Sequence, residues 1–157
     1  MMNFNDYLNL NALLQQCAQL LDSNDLSTWP DLFVPDGRYK LQSRENFDAG
    51  LPLCIMDYES QGMLSDRIYG VQNTIYHDPY SQRHVCGAPL ISSLCEHEIH
   101  CESSYIVTRT QRDGMPQIIS TGRYIDVIVL LDGAWKFKSR TAIYDNDLLP
   151  NSVIKPI

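Results

Sequence analysis

Basic residues are scarce. Lys plus Arg number 12 against 19 Asp plus Glu, a net charge of −7. Affinity for nucleic acid rests on cationic side chains that neutralise phosphates, so this balance argues against a nucleic-acid binder. It argues equally against a polybasic membrane-surface protein. Long apolar runs are missing, and none approaches the roughly 20 residues of a membrane helix. The opening "MMNFNDYLNLNALLQQ" has no basic segment and no small-residue cleavage site, so no signal peptide is expected. Regular cysteine spacing is missing too. The five cysteines, Cys17, Cys54, Cys86, Cys95 and Cys101, are odd in number and scattered. They read as free, mostly buried thiols in a reducing cytoplasm rather than as a disulfide framework. A Gly-rich phosphate loop, a nucleophile elbow and a Cys-His-Asp order are all absent.

What is present suits one domain spanning residues 1–157. Leu10, Leu13, Leu14, Cys17, Leu20 and Leu21 recur at helical spacing, which predicts a helix over about 3–22. Ser27 or Thr28 can cap a short second helix, "TWPDLFV", with Pro30 in its first turn. "DGRYKLQ" reads as a turn into a short strand, and residues 45–59 as irregular. A third helix begins near Ser60, with Met63, Leu64, Ile68, Val71 and Ile75 on one side, and "HDPYS" stops it. From residue 82 the pattern turns to strands, over about 83–103, 104–112, 117–131 and 135–144. "RDGM" and "LDGA" supply Asp-Gly hairpin signals. "IISTGRYIDVIVLL" is apolar on both faces at its end and should be central. In the last run Trp135, Phe137 and Ile143 point one way and Lys136, Lys138 and Arg140 the other. The expectation is an α+β domain: helices within about 3–80 cover one face of a curved antiparallel sheet at about 82–145. An apolar C-terminal tail, 146–157, follows. Its Leu148, Leu149, Val153, Ile154 and Ile157 should be ordered, against the sheet or against a neighbouring subunit.

The densest chemistry lies in "LCEHEIHCESS", residues 94–104. On a strand, Cys95, His97, Ile99 and Cys101 share one face and Glu96, Glu98, His100 and Glu102 the other. Cys95 and His97 could both reach one zinc ion, but Cys101 is too far along, and no further ligand is evident. The stronger reading is a strand with cysteines inward and glutamates outward. His84 in "QRHVCG" starts a strand and could act as a general base beside a carboxylate such as Asp48 or Asp36. Tyr39 or Tyr124 could then donate to an oxyanion. A structural histidine is the stronger reading there too. Arg67 on the third helix is expected to pair with a buried carboxylate.

"WPDLFVPDGRYKL", "MLSDRIYGV", "YSQRHVCG" and "KSRTAIYDNDLLPNSVIKPI" resemble the small (beta) subunits of aromatic-ring-hydroxylating oxygenases over nearly the whole chain. "RENFDAGLPLCIMDYESQGMLSDRI" is most similar to the branch acting on benzoate-like acids, salicylate 5-hydroxylase and terephthalate dioxygenase among them. The resemblance implies a cone-shaped α+β fold of the ketosteroid isomerase, scytalone dehydratase and nuclear transport factor two type. It implies a non-catalytic, structural subunit in a hexamer of three large and three small chains. The large subunit would carry a Rieske [2Fe-2S] cluster and a mononuclear non-haem Fe(II). Electrons would come from NAD(P)H through a reductase and ferredoxin. No catalytic, cofactor-binding or metal-binding residue is then expected on this chain. "CEH" at 95–97 mimics half of a Rieske pattern, but no Cys-x-x-His follows it. A stand-alone isomerase or dehydratase of the same fold, using His84 and an aspartate, is the alternative.

Overall fold

The computed structural model describes residues 4–23, 25–95, 97–149 and 153–157. Helix α1, Phe4–Asp22, forms where the leucine stripe predicts it, and Leu10, Leu13, Leu14, Cys17 and Leu21 are buried. The expected second helix shrinks to a 3-10 turn, Trp29–Leu32, with Pro30 at its start and no side-chain cap from Thr28. Phe33 and Val34, both better suited to a strand, leave it at once and begin β1, Phe33–Ser43. The segment read as irregular holds two elements. Ser43 accepts a hydrogen bond from the Asn46 amide and caps the short helix α2, Arg44–Asp48. Strand β2, Met56–Tyr58, then folds back on β1. Helix α3, Gln61–Asn73, starts at its Ser60 cap as expected. Its buried residues are Leu64, Ile68 and Val71, while Met63 is exposed.

Five strands follow: β3 Tyr80–Cys86, β4 Leu90–Leu94, β5 Glu98–Gln111, β6 Gln117–Leu131 and β7 Ala134–Tyr144. The run expected at 83–103 is therefore two strands and the start of a third. Gly87, Ala88 and Pro89 part β3 from β4, and β4 turns directly onto β5 with Leu94 opposite Ile99. The sheet order is β2-β1-β7-β6-β5-β3, with β4 also on β5. It is antiparallel except where β1 runs parallel to β7. Two of its strands precede residue 82, so helices and sheet are less segregated along the chain than expected.

Both Asp-Gly turns are observed. At the β6–β7 turn Asp132 (φ 51°) and Gly133 (φ 79°) take the left-handed conformation that a two-residue hairpin loop requires. Helix α1 packs on β3 and β7, and α3 on β1. The helices thereby close a cone whose interior is one core cluster around Trp29, Phe33, Tyr39, Leu41, Tyr105, Tyr124 and Phe137. The expected α+β cone is the observed fold. Among the described residues, no helix is long and apolar enough to cross a membrane.

Candidate functional site

The polar groups that chemistry would need lie on the inner wall of the cone. His84 sits on β3 with a fully buried side chain. Its carboxylate partner is neither Asp48 nor Asp36, both of which are exposed. The partner is Asp22, at the end of α1. Asp22 Oδ1 lies 2.6 Å from His84 Nδ1, and its two oxygens accept the His84 amide at 2.9 and 3.1 Å. One carboxylate thus ties the helix end to β3 through backbone and ring together. That is a structural arrangement, although His84 Nε2 is buried with no hydrogen-bond partner.

Deeper in the cone stand Asp126 on β6 and Arg140 on β7, 0% and 4% exposed in their side chains. Plain alternation along β7 would put Arg140 in solvent with Lys136 and Lys138. A bulge reverses it. Val127 pairs with Ser139 but Ile128 with Phe137, which leaves Lys138 as the extra residue and turns Arg140 to the same side as Phe137. The guanidinium carbon lies 3.7 Å from the Tyr124 ring centroid and 4.9 Å from that of Phe137, two cation–π contacts shielded from water. Arg140 Nε is 3.5 Å from Asp126 Oδ1, and neither Asp126 oxygen accepts a hydrogen bond. Burial without hydrogen bonds pushes the Asp126 carboxyl up to about 6, against the pull of Arg140.

Tyr105 stacks on Tyr124 at 4.5 Å and its hydroxyl lies 3.1 Å from Ser120. Burial raises both phenols well above their ordinary range. Tyr39, the other candidate oxyanion donor, is engaged with Ile157. Burial also pushes the Cys101 thiol up to about 12, which makes it inert rather than nucleophilic.

Elsewhere the expected sites are reorganised. Cys95 and His97 belong to the turn between β4 and β5, where the Cys95 amide donates to the Glu98 carbonyl, so they do not share a strand face. From Ile99 on, the alternation is as expected, with Ile99 and Cys101 buried and Glu98, His100 and Glu102 half-exposed. Among the described residues no three His, Cys, Asp or Glu side chains are grouped to hold a metal. The described residues therefore offer no ligand set for a Rieske cluster or a mononuclear iron. Arg67 meets no carboxylate; Nη2 donates to the carbonyls of Ile154 (2.6 Å) and Val153 (3.4 Å).

Sequence reasoning missed Asp22, Asp126 and Arg140. Asp126 carried a signal, a lone carboxylate inside the apolar run "YIDVIVLL". Four surface cavities, the largest about 570 Å³ between α1 and the β6–β7 turn, are not lined by His84, Tyr124, Asp126 or Arg140.

Residues 3–141 match the SnoaL-like domain. The anthranilate 1,2-dioxygenase small subunit of Burkholderia cepacia is 30% identical over 137 residues, covering 87% of this chain and 85% of its own. A terephthalate 1,2-dioxygenase terminal oxygenase beta subunit of Comamonas is 27% identical over 140 residues, 89% of this chain and 91% of its own. The crystal structure of a beta subunit assigned to an aromatic-ring-hydroxylating dioxygenase of Novosphingobium aromaticivorans superposes with a TM-score of 0.87 at 34% identity, covering 96% of each chain. The chain belongs to the SnoaL-like family and, within it, to the small (beta) subunits of aromatic-ring-hydroxylating dioxygenases.

Proposed function

We propose that this chain is the non-catalytic subunit of an oxygenase that hydroxylates an aromatic carboxylic acid, salicylate giving gentisate being the favoured case. As a dioxygenase small subunit it is part of an oxidoreductase complex with a large oxygenase partner. The finer reading is a hexamer of three large and three small chains. The large chain holds the Rieske [2Fe-2S] cluster and the Fe(II), fed by NAD(P)H through a reductase and ferredoxin. The observation that carries the non-catalytic role is the packed cone. Its chemically endowed groups, the His84–Asp22 and Asp126–Arg140 pairs, are buried, and none of the four surface cavities named above is lined by them. A general base must come within hydrogen-bond reach of its substrate, and burial of both pairs weighs against that. The same observation weighs against a stand-alone isomerase or dehydratase. The substrate class draws support from the relatives named above, since anthranilate and terephthalate are aromatic carboxylic acids, as salicylate is.

The test is reconstitution. The complex with its natural large subunit is assayed against salicylate, anthranilate, benzoate and terephthalate, with wild-type or His84→Ala small subunit. Turnover per assembled, metal-loaded complex is expected within about twofold between the two. A complex that assembles normally and keeps its iron, yet loses nearly all turnover, would place catalysis on this chain. No turnover of salicylate beside brisk turnover of another acid would overturn the favoured substrate alone.

A further inference from the structure

The C-terminal tail closes its own cone in an unusual way. Residues 145–149 and 153–157 form no helix or strand, yet Ile154, Lys155, Pro156 and Ile157 are buried. The main chain of this segment is held by side chains from three separate elements. Tyr39 on β1 donates its hydroxyl to the Ile157 carbonyl (2.7 Å) and accepts the Ile157 amide (2.9 Å). Gln82 on β3 donates to the Pro156 carbonyl (3.4 Å). Arg67 on α3 donates to the carbonyls of Ile154 and Val153. In return Lys155 Nζ reaches the Ser23 carbonyl just after α1 (3.4 Å) and lies 5.4 Å from the centre of the Tyr80 ring.

A segment that belonged to the sheet would pair backbone with backbone. Here side-chain donors from β1, β3 and α3 hold a main chain that is neither helix nor strand and bends at Lys155, while a branched side chain, Ile157, enters the core 1% exposed. Polar groups on the main chain met by donors of the surrounding wall, with a side chain seated in an apolar pocket, are features shared with peptide-recognition sites. Pro156 has no N–H to satisfy, and its one main-chain polar group is the carbonyl that Gln82 meets. Among the described residues Tyr39 and Gln82 make no other side-chain hydrogen bond, so these two donors serve the tail alone.

We infer that the mouth of the cone is a peptide-binding site whose resident ligand is residues 153–157 of the same chain. The ligand class is a short peptide of apolar residues around one lysine, with a branched residue following proline, and tethering keeps the site filled. This goes beyond the oxygenase reading and stands or falls independently of which large subunit or substrate the complex has.

The experiment removes residues 153–157 and adds the synthetic peptide Val-Ile-Lys-Pro-Ile in trans, followed by calorimetry and thermal melting. Saturable one-to-one binding that raises Tm is expected. Tyr39→Phe in the truncated chain should weaken it by about fivefold or more, since each hydrogen bond of this kind is worth about a factor of five. A folded truncated chain that ignores the peptide, or binds the scrambled Pro-Lys-Ile-Ile-Val equally well, overturns the proposal. Ile154 and Ile157 are also core residues, so a second arm uses the full-length chain and hydrogen exchange. The Ile157 amide is expected to exchange through a local opening, faster than amides of β5 and β6, and faster still in Arg67→Met. Exchange of Ile157 only with global unfolding would make the tail ordinary core and overturn the proposal.

Discussion

At the scale of single residues, the buried Asp126 makes a contribution of definite sign to how stability depends on pH. The folded protein holds its proton more tightly than an unfolded chain, in which the carboxyl titrates near 3.8 against about 6 when folded. Stability from this group is complete below pH 4 and declines as pH rises towards 6. The decline is roughly 3 kcal/mol, since each tenfold difference in proton affinity is worth about 1.4 kcal/mol. Asp126→Asn mimics the protonated form. Urea unfolding should find it equal to wild type near pH 4 and more stable at pH 7.5. A variant that is much less stable at pH 7.5 would mean that the ion pair outweighs its burial. Arg140→Met acts in the opposite direction, since it leaves Asp126 buried with no counter-charge. It should cost about 3–5 kcal/mol at pH 7.5 and much less at pH 4. Asp22 is a separate case, with three hydrogen bonds converging on it. Asp22→Ala strands a buried amide and a ring nitrogen and should cost roughly 2–4 kcal/mol by the same measurement.

At the scale of elements, the decisive pairing is β6 on β7. Its bulge sends Arg140 inward and leaves Lys138 exposed, where it reaches Glu98 at 3.2 Å. Further along the pairing, Gly122 faces Tyr144 across the ladder. A side chain there would overlap the Ile143 carbonyl and press on the Tyr105 hydroxyl. Because the obstruction is backbone, it cannot swing aside. Gly122→Ala is expected to cost at least about 1–3 kcal/mol, read as a fall in Tm, with a disturbed Tyr105–Tyr124 stack in the near-ultraviolet circular dichroism. An unchanged Tm would show that the β6–β7 register can slide to make room.

At the scale of the whole molecule, the fold is used as a filled cone. Interior aromatics, the Asp126–Arg140 pair and the isoleucines of the C-terminal segment pack together inside the cone. The purified chain is accordingly expected to carry no stoichiometric iron or zinc. Metal analysis finding about one tightly held ion per chain would contradict this. Assembly with the large subunit must then rest on the outer surfaces, so interior substitutions should alter stability of the complex before they alter its turnover.

Much of this was legible in the residues. Periodicity placed α1 and α3, and Asp-Gly pairs placed both long hairpins, because those signals are local: a stripe of leucines or a left-handed turn needs no distant partner. The family likewise could be read from stretches spread along the chain. The site was less legible. Which carboxylate meets His84 depends on where α1 ends against β3, 62 residues away in sequence, and Asp36 and Asp48 were equally good candidates on paper. Arg140 had the sequence of a solvent-facing residue until one unpaired lysine reversed its strand, and a bulge appears only in the pairing of two strands, where two residues of one stand against one of the other. For the tail, the run of apolar residues favoured burial, and Ile154 and Ile157 are buried while Leu148 stays 86% exposed. Only the packed cone decided that Ile154 and Ile157 are buried in their own chain, because Tyr39, Arg67 and Gln82 converge on that segment from three elements.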